Sequence, residues 1–268
     1  MQKDKFTVLD FRRKKDAGER ITMLTAYDFT MAGIIDEAGI DAVLVGDSLG
    51  MVVLGYDSTL PVTMDEMIHH AKAVRRGVKK AFLIGDMPFM SYQAKPKDAV
   101  HNAGRFVKEA GCEAVKLEGG RVMLPQIKRI IEIGIPVLGH IGLTPQSVNK
   151  FGGYKVRGKD DDEAKRLIDD ARALQDAGCF AVILECIPRK LAGEVTAALN
   201  IPTIGIGAGD LCSGQVLVTP DLIGYFNKFT PKFVKRYADI GNVISEAVKR
   251  FKTETETGIF PGEEHSFK

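Results

Sequence analysis

Acidic side chains recur in this sequence at the ends of apolar runs. Segments 37–47 (EAGIDAVLVGD), 109–119 (EAGCEAVKLEG) and 176–186 (DAGCFAVILEC) each carry an acid-Ala-Gly, a short connector and a hydrophobic stretch. These stretches close on Asp47, Glu118 and Glu185. A carboxylate buried without a partner is costly, and full burial raises its pKa by roughly 3–5 units. Acids in such places therefore imply a cation, a proton or a substrate beside them. Asp86 ends a fourth run, AFLIGDMP (81–88), and His140 stands in a fifth, IPVLGHIGLTP (135–145). Lys116 lies two residues before Glu118, so on a strand the two side chains share one face.

Brought together, these groups could do metal-assisted acid–base chemistry. Oxygen donors without a Cys or His cluster favour a hard divalent ion, Mg²⁺ over Zn²⁺. Two aspartates plus an outer-shell glutamate would suit Mg²⁺, which keeps positions for water and substrate. Such an ion can chelate a 2-oxo acid and stabilise the enolate formed when a base removes the adjacent proton. Glu185 is the candidate base, since an apolar strand end would raise its pKa toward neutrality. Plainer uses exist for each residue. Glu185 could pair with Lys116, Asp47-Ser48 could cap the next element, and His140 could be a satisfied core histidine.

Positioning these groups requires parallel strands whose C-terminal ends converge. The short apolar runs are rich in Val, Leu and Ile, as in strands buried on both faces. The Gly of each acid-Ala-Gly fits the position just past a helix, where positive φ favours glycine. Further strands are expected at ITMLTAYD (21–28), IPTIGIGAG (201–209) and GQVLVT (214–219), making eight. Helical patterns lie between them, for example MDEMIHHAKAVRRGV, PKDAVHNAGRFVKEA and DEAKRLIDDARALQDA. Eight β-α units with short connections predict an α/β fold, a (β/α)8 TIM barrel, rather than a doubly wound sheet. The long connections 49–63 and 142–159 fall on the side where barrels keep their active sites. One barrel domain over 1–268 is expected, with a C-terminal tail from about 252 that is either an arm on a neighbour or partly disordered.

Composition narrows the class. The 268 residues are 45% hydrophobic with a formal charge of +2, so no footprint for nucleic acid or anionic membrane stands out. The basic run Arg12-Arg13-Lys14-Lys15 reads as a solvated helix face or start rather than a binding arm. Four cysteines without CxxC spacing favour reduced thiols. No signal peptide or membrane span is read, and a cytoplasmic protein is expected. GIGAGDLCSG (205–214) lacks the Walker and dinucleotide fingerprints and reads as a turn. Met23, Met31, Met51 and the phenylalanines read as core, and His69-His70 as surface.

The blocks TAYD, LVGDSLGMVVLGYDSTLPVT, DMPFMSY, VKLEGG, GHIGLTPQSVNKFGGYKVRG, LECIP, IPTIGIGAG and PGEEHSF span residues 22–267. Through them the sequence resembles the ketopantoate hydroxymethyltransferase family. That resemblance implies a (β/α)8 barrel assembled as a homodecamer. It implies Mg²⁺, one per subunit, bound directly by Asp47 and Asp86 and through the outer shell by Glu118. Ser48 and Lys116 would contact the substrate carboxylate, Glu185 would accept the proton, and His140 would lie in the substrate pocket without an assigned role. The implied reaction moves a one-carbon unit from the co-substrate 5,10-methylenetetrahydrofolate to 3-methyl-2-oxobutanoate, giving 2-dehydropantoate for pantothenate synthesis. Two rivals are a Mg²⁺-dependent lyase or mutase of a 2-oxo acid on a related barrel, and a non-catalytic small-molecule-binding barrel. The first would carry a reactive cysteine in a flexible loop, and neither long connection holds one. The second would lack at least one acid at the mouth, and none is missing.

Overall fold

Eight strands run parallel and close on themselves in chain order in the computed structural model, which describes residues 5–226 and 229–268. They are β1 (Ile21–Thr25), β2 (Ala42–Val45), β3 (Phe82–Asp86), β4 (Ala114–Glu118), β5 (Val137–Gly142), β6 (Ala181–Glu185), β7 (Thr203–Ile206) and β8 (Gly214–Leu217). Closure comes from β8 against β1, with Ile21 opposite Gly214 and Leu24 opposite Leu217. This is the expected (β/α)8 barrel. Every residue of β2, β3, β4 and β5 is buried, as strands are when helices cover one face and the barrel interior the other.

Strand parity explains why the chemistry collects at one end. Ile84, Ala114, Leu138, Ala181 and Ile183 belong to the apolar cluster inside the barrel. With a two-residue period, Asp86, Lys116, Glu118, His140 and Glu185 point to the same interior, one or two steps further along their strands. The opposite end is apolar. There Phe11, on the helix Val8–Asp16, meets Phe6, Phe82 and Phe180 edge-on at 4.9–5.5 Å.

The helices begin and end where the side chains dictate. Thr63 and Glu66 form a reciprocal capping box on the helix Met64–Gly77. Asp160 caps Asp161–Asp176 by accepting from the Glu163 N–H at 2.8 Å. The three repeat glycines, Gly39, Gly111 and Gly178, all have positive φ, which confirms the helix-to-strand grammar of the repeats.

Three readings need correction. The Arg12–Lys15 run is not merely a solvated face. Lys14 pairs with Asp41 at 2.6 Å, and Lys15 Nζ donates to the carbonyls of Thr196, Leu199 and Ile201, so both tie the helix to neighbouring elements. The phenylalanines divide: Phe6, Phe11, Phe82 and Phe106 are buried, whereas Phe29, Phe89 and Phe251 are exposed. Of the histidine pair, His69 is exposed but His70 is half-buried, its Nδ1 2.7 Å from the Tyr27 carbonyl.

The chain divides into two compact units, the barrel unit 1–218 and a second unit 219–268. The second unit holds the short helix Thr219–Leu222 and the helix Ile240–Glu256. Position 252, where the tail was expected to start, lies inside the second helix. Asp221 is buried with Oδ1 lacking a hydrogen-bond partner.

Candidate active site

β3 to β6 set their functional residues side by side. Asp86, the last residue of β3, is opposite Lys116 on β4, and Lys116 Nζ donates to both its oxygens at 2.7 and 2.8 Å. The same ammonium lies 3.7 Å from Glu118 Oε1. Glu118 is opposite His140 on β5, and Gly142 is opposite Glu185 on β6. His140 Nδ1 stands 3.7 Å from Glu118 Oε1, and Nε2 stands 3.2 Å from Glu185 Oε2. Neither ring nitrogen has an aligned hydrogen bond, so His140 is not the satisfied core histidine of the plainer reading. Nor does Glu185 pair with Lys116; its Oε2 lies beside the His140 ring.

Asp47 lies two residues beyond β2. Its N–H donates to Asp86 Oδ2 at 3.1 Å and its Oδ2 accepts from Gln146 Nε2 at 2.9 Å. Ser48 begins the helical turn Leu49–Val52, but its hydroxyl makes no cap; it lies 2.8 Å from the Tyr27 hydroxyl. Across the mouth, the Tyr154 hydroxyl of one long connection approaches Met51 Sδ of the other at 4.0 Å. Burial raises the Tyr154 phenol, and the negative charges of Asp47, Glu185 and Glu118 add to the effect.

The electrostatics are those of a cluster short of positive charge. Asp47, Asp86, Glu118, Lys116 and His140 are all buried, while the Glu185 side chain keeps 16% of its exposure. Burial pushes Asp86 up to about 7; Lys116 opposes this and Asp47 adds to it. Glu118 is also raised well above the usual carboxyl range, first by burial, with Lys116 opposing. Burial works against the Lys116 charge, but Asp86, Glu118 and Asp47 outweigh it and hold the ammonium protonated. His140 is lowered by burial and then by Lys116, which keeps its imidazole neutral.

One ammonium thus serves three buried carboxyl groups, and Oε1 of Glu118 has no hydrogen-bond partner. Oxygen donors in that state fit a hard divalent cation. Among the described residues, no three His, Cys, Asp or Glu side chains are gathered closely enough to hold an ion as they stand. Lys116 engages both oxygens of Asp86 instead.

A family model described as ketopantoate hydroxymethyltransferase matches residues 5–263. The 3-methyl-2-oxobutanoate hydroxymethyltransferase of Syntrophomonas wolfei subsp. wolfei is 59% identical over 261 residues, covering 97% of this chain and 95% of its own. The chain belongs to the ketopantoate hydroxymethyltransferase family. The enzyme of that name from Syntrophotalea carbinolica is 58% identical over the full length of both chains. Among solved structures, phosphoenolpyruvate phosphomutase from Streptomyces platensis subsp. rosaceus superposes with a TM-score of 0.62 at 16% identity, covering 94% of this chain and 88% of its own. Phosphonopyruvate hydrolase in complex with oxalate and Mg²⁺ does so at 0.60 and 13%, covering 96% and 92%. At that identity the likeness concerns the barrel alone.

The geometry brings Asp47, Asp86, Lys116, Glu118, His140 and Glu185 together at one end of the barrel, with Ser48 directly following Asp47. Sequence reasoning missed Gln146 and Tyr92. The Tyr92 hydroxyl accepts from the Glu118 N–H at 3.0 Å and donates to Gln146 Oε1 at 2.9 Å. Both residues lie in blocks that carry the resemblance, but neither has a charge or period to mark it.

Proposed function

We infer that the chain transfers a hydroxymethyl group from 5,10-methylenetetrahydrofolate to 3-methyl-2-oxobutanoate, giving 2-dehydropantoate; the family's name supports the hydroxymethyl transfer. The observation that supports the mechanism is the register of β3 to β6, which sets a buried lysine, a carboxyl cluster and the partly exposed Glu185 carboxylate around one mouth.

In this reading Asp47 and Asp86 would ligate Mg²⁺, and Glu118 would hold it through water. When bound, Mg²⁺ supplies Lewis-acid polarisation of the 2-oxo carbonyl. Ser48 and Lys116 bind the substrate carboxylate, the lysine turning from Asp86 toward the incoming anion. Glu185 takes the C3 proton. Neutral His140 lies against it without contributing a positive charge. The resulting C3 nucleophile bonds to the folate-borne carbon as one of its two C–N bonds breaks, the oxygen of water replaces the second C–N bond and becomes the new hydroxyl, and the C3 proton and one water proton end on the two nitrogens of the departing tetrahydrofolate. Once turned, Lys116 offers positive charge to the anionic intermediate, electrostatic stabilisation of the kind that contributes most to such steps.

The family resemblance extends the reading to a cytoplasmic homodecamer, which light scattering on the purified protein would test. Among the described residues no helix is long and apolar enough to cross a membrane. The activity itself is tested by incubating the protein with Mg²⁺, 3-methyl-2-oxobutanoate and 5,10-methylenetetrahydrofolate and following 2-dehydropantoate by mass spectrometry. Product that depends on all three supports the reading. No product from folded protein would remove it.

A further inference from the structure

Gln146 is hydrogen-bonded to two of the buried carboxylates, Asp47 and Glu118, though no role was assigned to it. It sits in the turn Pro145–Ser147, at the root of the long connection after β5, and is buried. Its side-chain Nε2 donates to Asp47 Oδ2 and to the Met87 carbonyl, both at 2.9 Å. Oε1 accepts from the Tyr92 hydroxyl and from Gln93 Nε2, also at 2.9 Å. The amide is therefore saturated, with two donors and two acceptor sites all used. Its orientation is fixed as well, because the Met87 carbonyl can only accept and so must face the nitrogen. The Gln146 backbone N–H donates to Glu118 Oε2 at 3.0 Å.

One residue thus engages one oxygen of Asp47 and one of Glu118, and Glu118 Oε1 is left without a partner. A neutral donor suits this place. A lysine would neutralise the carboxylates and compete with a cation, whereas an amide orients Asp47 and leaves its charge in being. Tyr92 and Gln93 hold the amide from behind, so its position is set by packed groups on the β3 side of the barrel. Outer contacts of this kind orient ligands and tune metal affinity.

We propose that Gln146 is a positioning residue that holds the carboxylates of Asp47 and Glu118 in the arrangement Mg²⁺ requires, and so sets metal affinity without touching the metal. The proposal rests on the reading of Asp47, Asp86 and Glu118 as the Mg²⁺ site.

The test is calorimetric titration of Mg²⁺ into substrate-free wild type and into Gln146→Met, which keeps the volume and removes the amide. The variant is expected to bind about 10–100-fold more weakly, the usual loss when an outer contact to a ligand is removed. Saturating Mg²⁺ should restore kcat to near the wild-type value. Gln146→Asn serves if the Met variant does not fold: its shorter amide cannot reach Asp47, and the same loss is expected. Wild-type affinity in a folded variant would overturn the proposal, as would a kcat defect that saturating Mg²⁺ does not relieve. If wild type itself bound no Mg²⁺, the metal-site reading would fall first, and the two failures are told apart by that control.

Discussion

Nε2 of His140 and Oε2 of Glu185 lie 3.2 Å apart across the β5–β6 junction, yet the ring makes no aligned hydrogen bond. Charge decides what that proximity means. An imidazolium beside Glu185 would neutralise the carboxylate and weaken it as a base. Burial, and then the Lys116 charge, lower the His140 pKa from its ordinary value of 6.5, so the ring is neutral where the carboxylate must work. In ¹⁵N spectra of labelled protein, His140 is expected to show a neutral-imidazole pattern at pH 6.5. An imidazolium pattern at that pH would contradict the assignment of Glu185 as an uncompensated base.

Metal binding should depend on Asp86 more than on Glu185. Asp86→Asn removes a ligand charge and is expected to weaken Mg²⁺ at least about tenfold, a loss of about 1.4 kcal/mol, in calorimetric titration. Glu185→Gln should bind the ion almost as wild type does.

Gly142 shows how backbone geometry protects the base. It ends β5 at φ +99°, and a Cβ there would come within 2.3 Å of the Glu185 carbonyl oxygen. Gly142→Ala therefore meets both an unfavourable φ, costing about 1–2 kcal/mol, and a collision that must displace Glu185. Thermal unfolding should show a lowered midpoint, and proton abstraction should be impaired even in the folded fraction. An alanine variant with wild-type stability and activity would show that neither constraint holds.

Asp221 offers a test of the second unit. Burial raises its carboxyl to about 6 from 3.8, with Arg236 opposing. The native state then binds the proton more tightly than the unfolded chain. Stability linked to this group is fully present below about pH 4 and is lost as pH rises through about 6. Asp221→Asn is accordingly expected to raise the unfolding midpoint at pH 7.5, with the gain shrinking toward pH 4. An equal effect at both pH values would point to packing instead of charge.

Much of the site was legible because strands have a two-residue period. Once Lys116 and Glu118 fall on one strand, their shared face follows, and acids at the ends of parallel strands must meet at one mouth. Register and partners were not legible. Whether Glu185 meets Lys116 or His140 depends on which strand lies beside β6, and barrel closure supplies that. Gln146 escaped notice because an uncharged amide in a proline-bearing turn has no periodicity, and its importance comes from five partners distant in sequence. Lys15 was misread for a similar reason: nothing local shows that its ammonium caps three carbonyls from residues 196–201.

The central claim is that Glu185 removes the C3 proton of a 2-oxo acid. Its most direct test needs no turnover: incubate the protein with 3-methyl-2-oxobutanoate and Mg²⁺ in D₂O, with a folate analogue present to complete the site, and follow the C3 proton by NMR. Wild type is expected to exchange that proton in a Mg²⁺-dependent way, and Glu185→Gln, folded and still binding Mg²⁺, is expected to abolish the exchange. Exchange at the wild-type rate in Glu185→Gln, or none in wild type, would contradict the account.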